Sequence, residues 1–528
     1  MSNETVDAVV VGAGPNGLVA ANLLADAGWD VLVLEANAEP GGAVRTGEVT
    51  APGFRNDLFS AFYPFAAGSP VIRSLDLHAY GLQWAHAETV VAHPRHHRPA
   101  AVVHRRTTDT AAALEADHAG DGAAFTRLAT EWDGIAEPVL AALLSPFPPV
   151  RAALRLLRAT GPRGAMTLAR RGALPVRRFV EEEFGGESAA LLYSGCSLHA
   201  DLSPENATSA LFGWLLVHLG QQVGFPVPVG GAGMLTAALV RRLEAKGGRL
   251  RCDARVDHVV VRDGRAVAVR VVGDTEITAT RAVVADTDAA RLYLELISPE
   301  DLPATALAAA RRIQRGQSTF KIDWALDRPI PWADPTVGAA GTVHVADSLD
   351  ELTMNSAQIA AGQIPSDPFL LLGQMTAADP TRSPPGTASV WAYTHLPQRV
   401  KGDAGGDGIS GEWTADDIAR FSERIEARVE EHAPGFRDRI IARHCWAPRD
   451  LERANANLVN GDLSGGTASA HQQLIFRPIP GLSRAETPIK GLYLGSSSAH
   501  PGGGVHGACG ANAARAAIAH ERWRRSRR

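Results

Sequence analysis

Residues 6–35, VDAVVVGAGPNGLVAANLLADAGWDVLVLE, leave few folds open to this chain. Their pattern predicts a strand at Val6–Val11, a helix over about 17–27, and a second strand at Val31–Leu34 that ends at Glu35. The turn between the first strand and the helix has the spacing GxGxxG. Together these features predict a strand–helix–strand unit of the dinucleotide-binding type.

Each part of this unit has a physical role in holding a dinucleotide. The first glycine permits a tight turn, the second lets the backbone approach a pyrophosphate, and the third lets helix and strand pack closely. The start of the helix offers N–H groups to the phosphates, and Glu35 can accept hydrogen bonds from both ribose hydroxyls. The predicted contacts are Gly12, Gly14, Pro15, Asn16, Gly17, Glu35 and Ala36.

The segment after Glu35 helps to decide between dinucleotides. It contains PGGAVRTG, whose glycine pair and arginine resemble the extended fingerprint of FAD-binding proteins of the glutathione-reductase type. NAD-binding Rossmann domains normally lack this extension. We therefore expect FAD as the cofactor, with further contacts from Gly42, Ala43 and Arg45.

Residues 227–292 predict a second part of the same domain. Its predicted elements are an amphipathic helix over about 233–245, a strand through Val256, a hairpin at 262–265 and a strand at 282–285. Gly231 and Gly233 leave the alternative of a second dinucleotide site, but the two prolines before them suit a central parallel strand badly. We expect the backbone at Val256 to lie beside the adenine, and VVADTD to lie near the flavin.

A glycine-dense stretch, AHPGGGVHGACGAN, occupies residues 499–512. A strand at Leu492–Leu494 precedes it, and an alanine-rich helix follows from about Ala508. Because glycine is costly to order, we expect this turn to run along the ribityl chain and under the isoalloxazine, with the helix start facing N1 and O2. The predicted contacts are Gly495, Ser496, Val505, His506 and Gly507.

Eight segments, spread over nearly the whole chain, carry a resemblance. They are VVVGAGPNGLVAA, PGGAVRTGE, PGFRNDLFSAF, ALFGWLLVHLGQQVGFPVPVGGAGML, FKIDWALD, VWAYTHLP, NANLVNGDLSGG and HPGGGVHGACGANAARAA. Together they resemble the phytoene-desaturase-like FAD oxidoreductases of the amine-oxidase-like superfamily, in the subgroup named after pyridine nucleotide-disulfide oxidoreductase domain-containing protein 2. The chain has no CxxC pair, so we expect no disulfide reductase chemistry.

The resemblance implies an α/β fold with a glutathione-reductase-type, Rossmann-like FAD-binding domain and a discontinuous α+β substrate domain. We assign residues 1–75, 225–299 and 480–528 to the FAD-binding domain. Residues 76–224 and 300–479 then form the substrate domain, with a mixed sheet and helices.

Composition narrows the partners and the location. The formal net charge of −5 gives no reason to expect nucleic acid. Scattered cysteines and the lack of a signal-peptide pattern predict a cytoplasmic protein. Four histidines at 93–104 are interleaved with proline and arginine and have no acidic residue near them in the sequence, which favours a solvated hairpin over a metal site. We therefore expect no metal, and the oligomeric state stays open.

Residues 138–180 contain eight arginines and no acidic residue, with apolar residues at helical spacing. Two interpretations remain open and are compatible with each other. The helices can cover the substrate domain, or they can form a basic amphipathic surface in peripheral contact with an anionic membrane.

Two apolar segments, STFKIDWAL and ASVWAYTHLP, predict neighbouring strands in the floor of the substrate domain. Their aromatic residues suit an elongated apolar or amphipathic substrate. The candidate catalytic residues are Lys321, an isolated charge in the first strand, and His506. The histidine can act as an acid or base, or it can simply form a hydrogen bond to the flavin or the backbone.

We therefore expect hydride transfer from a substrate carbon to flavin N5. Because no second nucleotide fingerprint is found, we expect oxygen or a quinone as the electron acceptor. The alternatives are an amine or amino-acid oxidase, a flavin-dependent isomerase, and, from another class, a non-catalytic lipid-binding or escort protein.

Overall fold

The computed structural model describes residues 4–527, and its strands form two large sheets and three small ones. The strands are β1 (Glu4–Val11), β2 (Val31–Leu34), β3 (Thr46–Gly47), β4 (Asn56–Asp57), β5 (Trp84–Ala85), β6 (Thr89–Arg95), β7 (Arg98–His104), β8 (Val227–Pro228), β9 (Arg249–Arg251), β10 (Val256–Arg262), β11 (Arg265–Val271), β12 (Thr275–Ala285), β13 (Ser318–Leu326), β14 (Ala340–Val345), β15 (Gln363–Ile364), β16 (Leu370–Gln374), β17 (Ala388–Leu396), β18 (Gly402–Asp403), β19 (Ile440–Trp446) and β20 (Leu492–Leu494).

The helices lie between these strands. They are α1 (Pro15–Asp26), α2 (Pro64–Gly68), α3 (Pro70–Arg73), α4 (Thr107–Asp117), α5 (Asp121–Leu144), α6 (Val150–Arg171), α7 (Val176–Glu183), α8 (Glu187–Leu198), α9 (Ser209–Val223), α10 (Gly233–Ala245), α11 (Ala289–Arg291), α12 (Ala304–Ala310), α13 (Leu349–Ala360), α14 (Met375–Ala378), α15 (Ala415–His432), α16 (Pro448–Ala454) and α17 (Ala508–Ser526).

The first large sheet has the order β10–β11–β12–β1–β2–β9, and β20 pairs with β12. β1 runs parallel to β2 and β12, and β20 runs parallel to β12. Apolar residues of α1, α10 and α17 pack on one face of this sheet. A second apolar cluster, drawn partly from residues 289–310, covers the other face, so both faces of β1 are buried. This is the predicted α/β fold of the FAD-binding domain.

The second large sheet has the order β19–β13–β17–β16–β14–β6–β7. β13 and β17 pair antiparallel over their whole length, with Lys321 opposite Tyr393. The prediction that these two segments are neighbouring strands is therefore confirmed. The two large sheets draw their strands from the two sets of ranges assigned to the two domains, whose bounds stay a prediction.

The strand before Gly231 does not join the first sheet. β8 covers two residues and pairs antiparallel with β5 in a separate two-stranded sheet. A dinucleotide turn needs a parallel strand directly before its glycines. The described structure therefore lends no support to a second dinucleotide site at Gly231 and Gly233.

The histidine-rich segment forms the predicted hairpin, β6–β7, but one part of the prediction is wrong. His93 is fully buried, and its Nε2 lies 2.7 Å from the carbonyl oxygen of Ala346. The acidic partner that the neighbouring sequence lacks is supplied in space by Asp347, whose Oδ1 stands 3.4 Å from the Nε2 of His96. Asp347 is 251 residues away in the sequence, and tertiary folding brings it to the hairpin.

Candidate active site

The first glycine turn packs against Asp286, which follows β12. The backbone N–H of Gly17 donates to Asp286 Oδ2 at 2.8 Å. A Cβ atom at Gly14 would stand 2.6 Å from the same oxygen, and one at Gly12 would stand 2.8 Å from the Asp286 carbonyl oxygen. Glycine is therefore required here by the close approach of the two strand ends, in addition to any ligand.

Asp286 has an unusual protonation state. Burial raises the pKa of its carboxyl to about 7, the nearby charge of Glu35 adds to the rise, and the Gly17 N–H opposes it. At pH 7 this carboxyl is therefore about half protonated, and it repels a pyrophosphate less than a full negative charge does. From the sequence, VVADTD is predicted to lie near the flavin, but no local pattern distinguishes Asp286 within it.

We expect the Asp286→Asn variant to be more stable than the natural protein at pH 8 and equally stable at pH 4. The folded-state pKa lies above the usual value of 3.8, so the natural protein loses stability as the pH rises from 3.8 to about 7. The amide has no charge to bury, and its oxygen can still accept from Gly17. Melting temperatures of both proteins between pH 4 and pH 8 test this. A melting temperature of the variant that is lower than that of the natural protein by the same amount at every pH would contradict this expectation.

Glu35 ends β2, and its buried carboxylate is held in one orientation. Oε2 accepts from the backbone N–H of Ala13 at 2.8 Å. Oε1 accepts from the backbone N–H of Asn37 at 2.9 Å and from its side-chain amide at 3.0 Å. A carboxylate has about four lone-pair sites and three are used here, so this one keeps capacity for about one ribose hydroxyl.

The second glycine loop, which contains Gly41 and Gly42, is hydrogen-bonded to the first glycine turn. The N–H of Gly41 donates to the carbonyl oxygen of Ala13 at 2.8 Å. Arg45 fixes the loop from the other side, because its Nε donates to Gly42 at 3.1 Å and its Nη2 donates to Ala454 at 2.9 Å, both at carbonyl oxygens. Arg45 thus ties the loop to α16.

The C-terminal glycines serve two different purposes. A Cβ atom at Gly510 would overlap the carbonyl oxygen of Asn16, and one at Gly507 would stand 2.9 Å from the side chain of Val19. These glycines let α17 cross α1 at close range. Gly504 lines the cavity, and its Cβ would come no closer than 3.4 Å to any atom outside its chain neighbours. Gly504 thus fits the expectation that glycine leaves room for the flavin.

His506 is a buried histidine in the cavity wall. Its Nδ1 accepts from the N–H of Ala508, the first residue of α17, at 3.0 Å. Its carbonyl oxygen accepts from Ser69 Oγ at 2.7 Å. Burial lowers the pKa of His506 to about 4, and because Nδ1 accepts, the neutral ring carries its proton on Nε2. The ring is therefore neutral at pH 7, where it accepts from the first N–H of α17, while hydrogen bonds to the backbone of Gly502 and Gly503 partly oppose the lowering of its pKa.

The second sheet supplies the far wall of the site. Lys321 of β13 and Trp391 and Tyr393 of β17 line the cavity. The Nζ of Lys321 lies 2.5 Å from each carboxylate oxygen of Asp323, and both residues are buried. Burial raises the pKa of Asp323, and the Lys321 charge opposes that rise.

One continuous cavity connects these features, from Glu35 past the glycine turns to the second sheet. The predicted site residues in its wall are Gly12, Gly14, Pro15, Asn16, Glu35, Ala36, Gly42, Ala43, Val256, Val505, His506 and Lys321. The predicted residues outside this wall are Gly17, Arg45, Gly495, Ser496 and Gly507. The roles of all these residues in binding and catalysis stay predictions.

The residues present fit FAD. Asn16 Oδ1 and Thr287 Oγ1 are buried in the wall without a hydrogen-bond partner among residues 4–527, and such atoms cost free energy unless a ligand or water satisfies them. Glu35 and the start of α1 would hold the adenosine and the phosphates. His506 and the C-terminal turn would hold the flavin.

Sequence reasoning missed Asn457. Its Oδ1 accepts from the N–H of Asp288 at 2.8 Å, and its Nδ2 donates to the carbonyl oxygen of Asp286 at 2.9 Å. Asn457 thereby fixes the segment after β12 beside the cavity. It belongs to NANLVNGDLSGG, which carried part of the resemblance, but no local pattern distinguishes it from a turn asparagine.

Fold and site together define a flavoprotein with a Rossmann-like domain and a second sheet that closes the cavity. The chain belongs to the family described as flavin containing amine oxidoreductase, whose model matches residues 16–391. It is an FAD-dependent oxidoreductase of the phytoene-desaturase-like type, as the prediction from the sequence had it.

The chain is similar over nearly its whole length to several known proteins. It is 29% identical to mouse pyridine nucleotide-disulfide oxidoreductase domain-containing protein 2, over 96% of this chain and 92% of the mouse protein. It is 28% identical to hydroxyneurosporene desaturase of Rhodobacter capsulatus, over 98% of this chain and 99% of that enzyme. A solved structure of putrescine oxidase, 16% identical, has a TM-score of 0.60 and covers 98% of this chain and 100% of its own, which shows the shared fold.

Proposed function

We propose that the protein oxidises a carbon atom of a small apolar or amphipathic molecule, with oxygen or a quinone as the electron acceptor. The observation that carries this proposal is the wall beyond the C-terminal turn, which is mainly apolar and aromatic. The Phe, Tyr and Trp residues that line the cavity are Phe59, Phe62, Tyr63, Phe65, Phe212, Phe225, Trp391 and Tyr393. Bound FAD supplies the hydride-accepting chemistry. The chain positions the substrate and keeps water away from it.

Two charged groups near this wall, Arg477 and Lys321, already have hydrogen-bond partners. Arg477 is buried, and its guanidinium donates to the carbonyl oxygens of Ser464, Thr467 and Ser497. Lys321 is paired with Asp323. Among residues 4–527, Arg477 has no carboxylate partner, but its N–H groups are occupied by backbone carbonyl oxygens, and Lys321 is neutralised by Asp323. That arrangement favours an uncharged substrate over an amino acid or an amine.

Anaerobic reduction of the bound flavin tests the proposal. Purified holoprotein is mixed with an apolar polyene, a cyclic terpenoid, a primary amine and an amino acid in turn, while flavin bleaching and products are followed. We expect bleaching by one of the first two. Bleaching by the amine or amino acid alone would establish the oxidase alternative, and an isomerised product without net bleaching would establish the isomerase. A protein that cannot be loaded with FAD would favour the escort alternative.

We expect the His506→Ala variant to keep its FAD. Reduction of the bound flavin by substrate should be roughly fivefold slower, as the loss of one hydrogen bond worth ~1 kcal/mol implies. Because the pKa of His506 is about 4, the rate profile between pH 6 and pH 9 keeps its shape. A loss of ~10²–10⁴-fold with a changed profile would instead show acid–base catalysis. The His506→Asn variant is the control, because its amide oxygen can still accept from the N–H of Ala508.

We also propose that α6 contacts an anionic membrane surface. α6 is broken at Gly161, where φ is 66°; Val150, Leu154 and Leu157 are exposed before the break and Met166 after it. Four of its arginines have no carboxylate partner among the described residues: Arg151, Arg155, Arg158 and Arg163. In residues 4–527, no helix has the length and apolar character to cross a bilayer. The end of α5, six residues before α6, lines the cavity at Leu143 and Leu144, which would give an apolar substrate a short route inside.

We expect holoprotein to sediment with vesicles containing anionic lipid and to be released by added salt, since exposed charges are screened. The Arg155→Glu/Arg158→Glu variant should bind these vesicles about tenfold more weakly or worse, because each basic residue contributes ~1 kcal/mol. The matched control is Arg311→Glu/Arg312→Glu, which makes the same charge change at exposed residues outside α6. The proposal would be contradicted if both variants lost vesicle binding equally, or if binding did not depend on the charge of the lipid.

A further inference from the structure

A second cluster of potential ligands lies outside the cavity wall. Its members are His96 in the turn between β6 and β7, Asp347 just after β14, and His432, the last residue of α15. Asp347 Oδ1 stands 3.4 Å from the Nε2 of His96 and 3.2 Å from the Nε2 of His432. One ligand atom from each residue lies within 4.8 Å of the other two.

These separations suit a tetrahedral ion. With Zn–N and Zn–O bonds of about 2.0–2.1 Å, two ligand atoms of a tetrahedral site lie about 3.3–3.4 Å apart. The two imidazole rings stack with centroids 4.3 Å apart and planes 19° apart, so both nitrogens lie on the same side of the cluster, and the rings must tilt for their lone pairs to meet at one ion. The His96 side chain is 43% exposed, which leaves a fourth position open to water.

The polar groups of the cluster are incompletely satisfied. The side chain of His432 is 2% exposed. Despite their proximity, neither its Nε2 nor Asp347 Oδ1 has a hydrogen-bond partner of proper geometry in the described part of the chain. Buried polar atoms of this kind cost free energy unless a further group satisfies them.

The surrounding charge is also unbalanced. Arg428 Nη1 donates to Asp347 Oδ2 at 3.0 Å and to Glu431 at 2.7 Å, and its Nη2 binds Glu351. With both histidines neutral, three carboxylates face one guanidinium, and a divalent cation would balance the charge. The bond from Arg428 also orients Asp347 and leaves Oδ1 as its ligand atom.

We propose that His96, Asp347 and His432 form a metal site with Zn²⁺ as the best-suited ion. Two imidazole nitrogens and one carboxylate oxygen are ligands that Zn²⁺ accepts, and water completes the tetrahedron. The ion would join the β6–β7 hairpin, the end of β14 and the end of α15, which are far apart in the sequence. Its role is to fix this edge of the second sheet.

Untagged holoprotein, dialysed against a chelator, tests this by titration with Zn²⁺ in a calorimeter and with Co²⁺ in a spectrophotometer. We expect one ion per chain and the strong visible absorption of tetrahedral Co²⁺. The His96→Ala variant should bind at least about tenfold more weakly. His97→Ala, at the neighbouring exposed histidine of the same turn, should bind like the natural protein.

Asp347→Asn gives a second test, because it removes the shared ligand charge and should also weaken Zn²⁺ binding while FAD content stays unchanged. Absence of saturable binding, or equal weakening by His97→Ala, would overturn the proposal. A melting temperature that rises as the pH falls and does not respond to Zn²⁺ would also overturn the proposal. In that case positive charge on the two imidazole rings, and not a metal ion, would balance the carboxylates.

Discussion

The Gly14→Val variant is expected to fold but to be purified without FAD. Its side chain would enter the space that Asp286 already fills, with the first added carbon 2.6 Å from Asp286 Oδ2, and would displace the turn against which the pyrophosphate is expected to lie. Overpacking alone costs about 1–3 kcal/mol. Lost phosphate contacts add to that cost, so the affinity for FAD should fall by roughly 10²-fold or more.

Absorbance of the bound flavin and far-ultraviolet circular dichroism of the same sample separate loss of cofactor from loss of fold. The matched control is Gly134→Val in α5, where an added Cβ atom meets nothing within 4 Å. This control should remain yellow. A Gly14→Val protein with a full complement of FAD would show that the phosphates do not bind at this turn.

Helices and strands whose formation depends on residues close in sequence are predictable. Most of their ends lie within two residues of the predicted positions. β2 and β20 have their predicted bounds, and α10 spans the predicted 233–245. α1 begins at Pro15, two residues before its predicted start, because proline is well suited to the first position of a helix. In these elements the period of the apolar residues decides the structure, and it can be read directly.

Groups brought together by tertiary folding are not predictable in this way. The bond from Gly17 to Asp286 joins residues 269 apart, and Asn457 reaches Asp286 from 171 residues away. Gly17 is marked by the glycine motif, but nothing in the local segments of Asp286 and Asn457 distinguishes them from ordinary turn residues. The same holds for Asp347 and His96, where the sequence correctly predicts the hairpin but gives no sign of the acidic residue that folding brings to it.

Glycine patterns predict close approach but not the group that approaches. The C-terminal stretch predicts that side chains must be absent, and the structure agrees. At Gly510, however, the neighbour is the backbone of α1, and at Gly502 it is the guanidinium of Arg477. A ligand and a packed helix place the same demand on a backbone, so a glycine count alone overstates contact with the cofactor.

A comparably large effect is expected at the buried ion pair of β13. Lys321 and Asp323 are two residues apart on one strand, so their side chains share a face. The Asp323→Ala variant leaves a buried ammonium without a counter-ion and also removes the acceptor of the Trp446 indole N–H. We expect its free energy of unfolding to fall by about 3–5 kcal/mol. Urea unfolding of the holoprotein measures this change.

The Lys321→Met/Asp323→Ala variant should regain most of that loss, because it removes both charges together. It also separates the two roles open to Lys321. A proton acceptor must present a neutral amine, whereas this Nζ is held by both oxygens of Asp323, so we expect a positioning role and flavin reduction within about tenfold of the natural rate. A loss of ~10²–10⁴-fold at normal stability would contradict the positioning role and show that this pair takes part in proton transfer, because the removal of a packed charge pair does not by itself slow the chemistry that much.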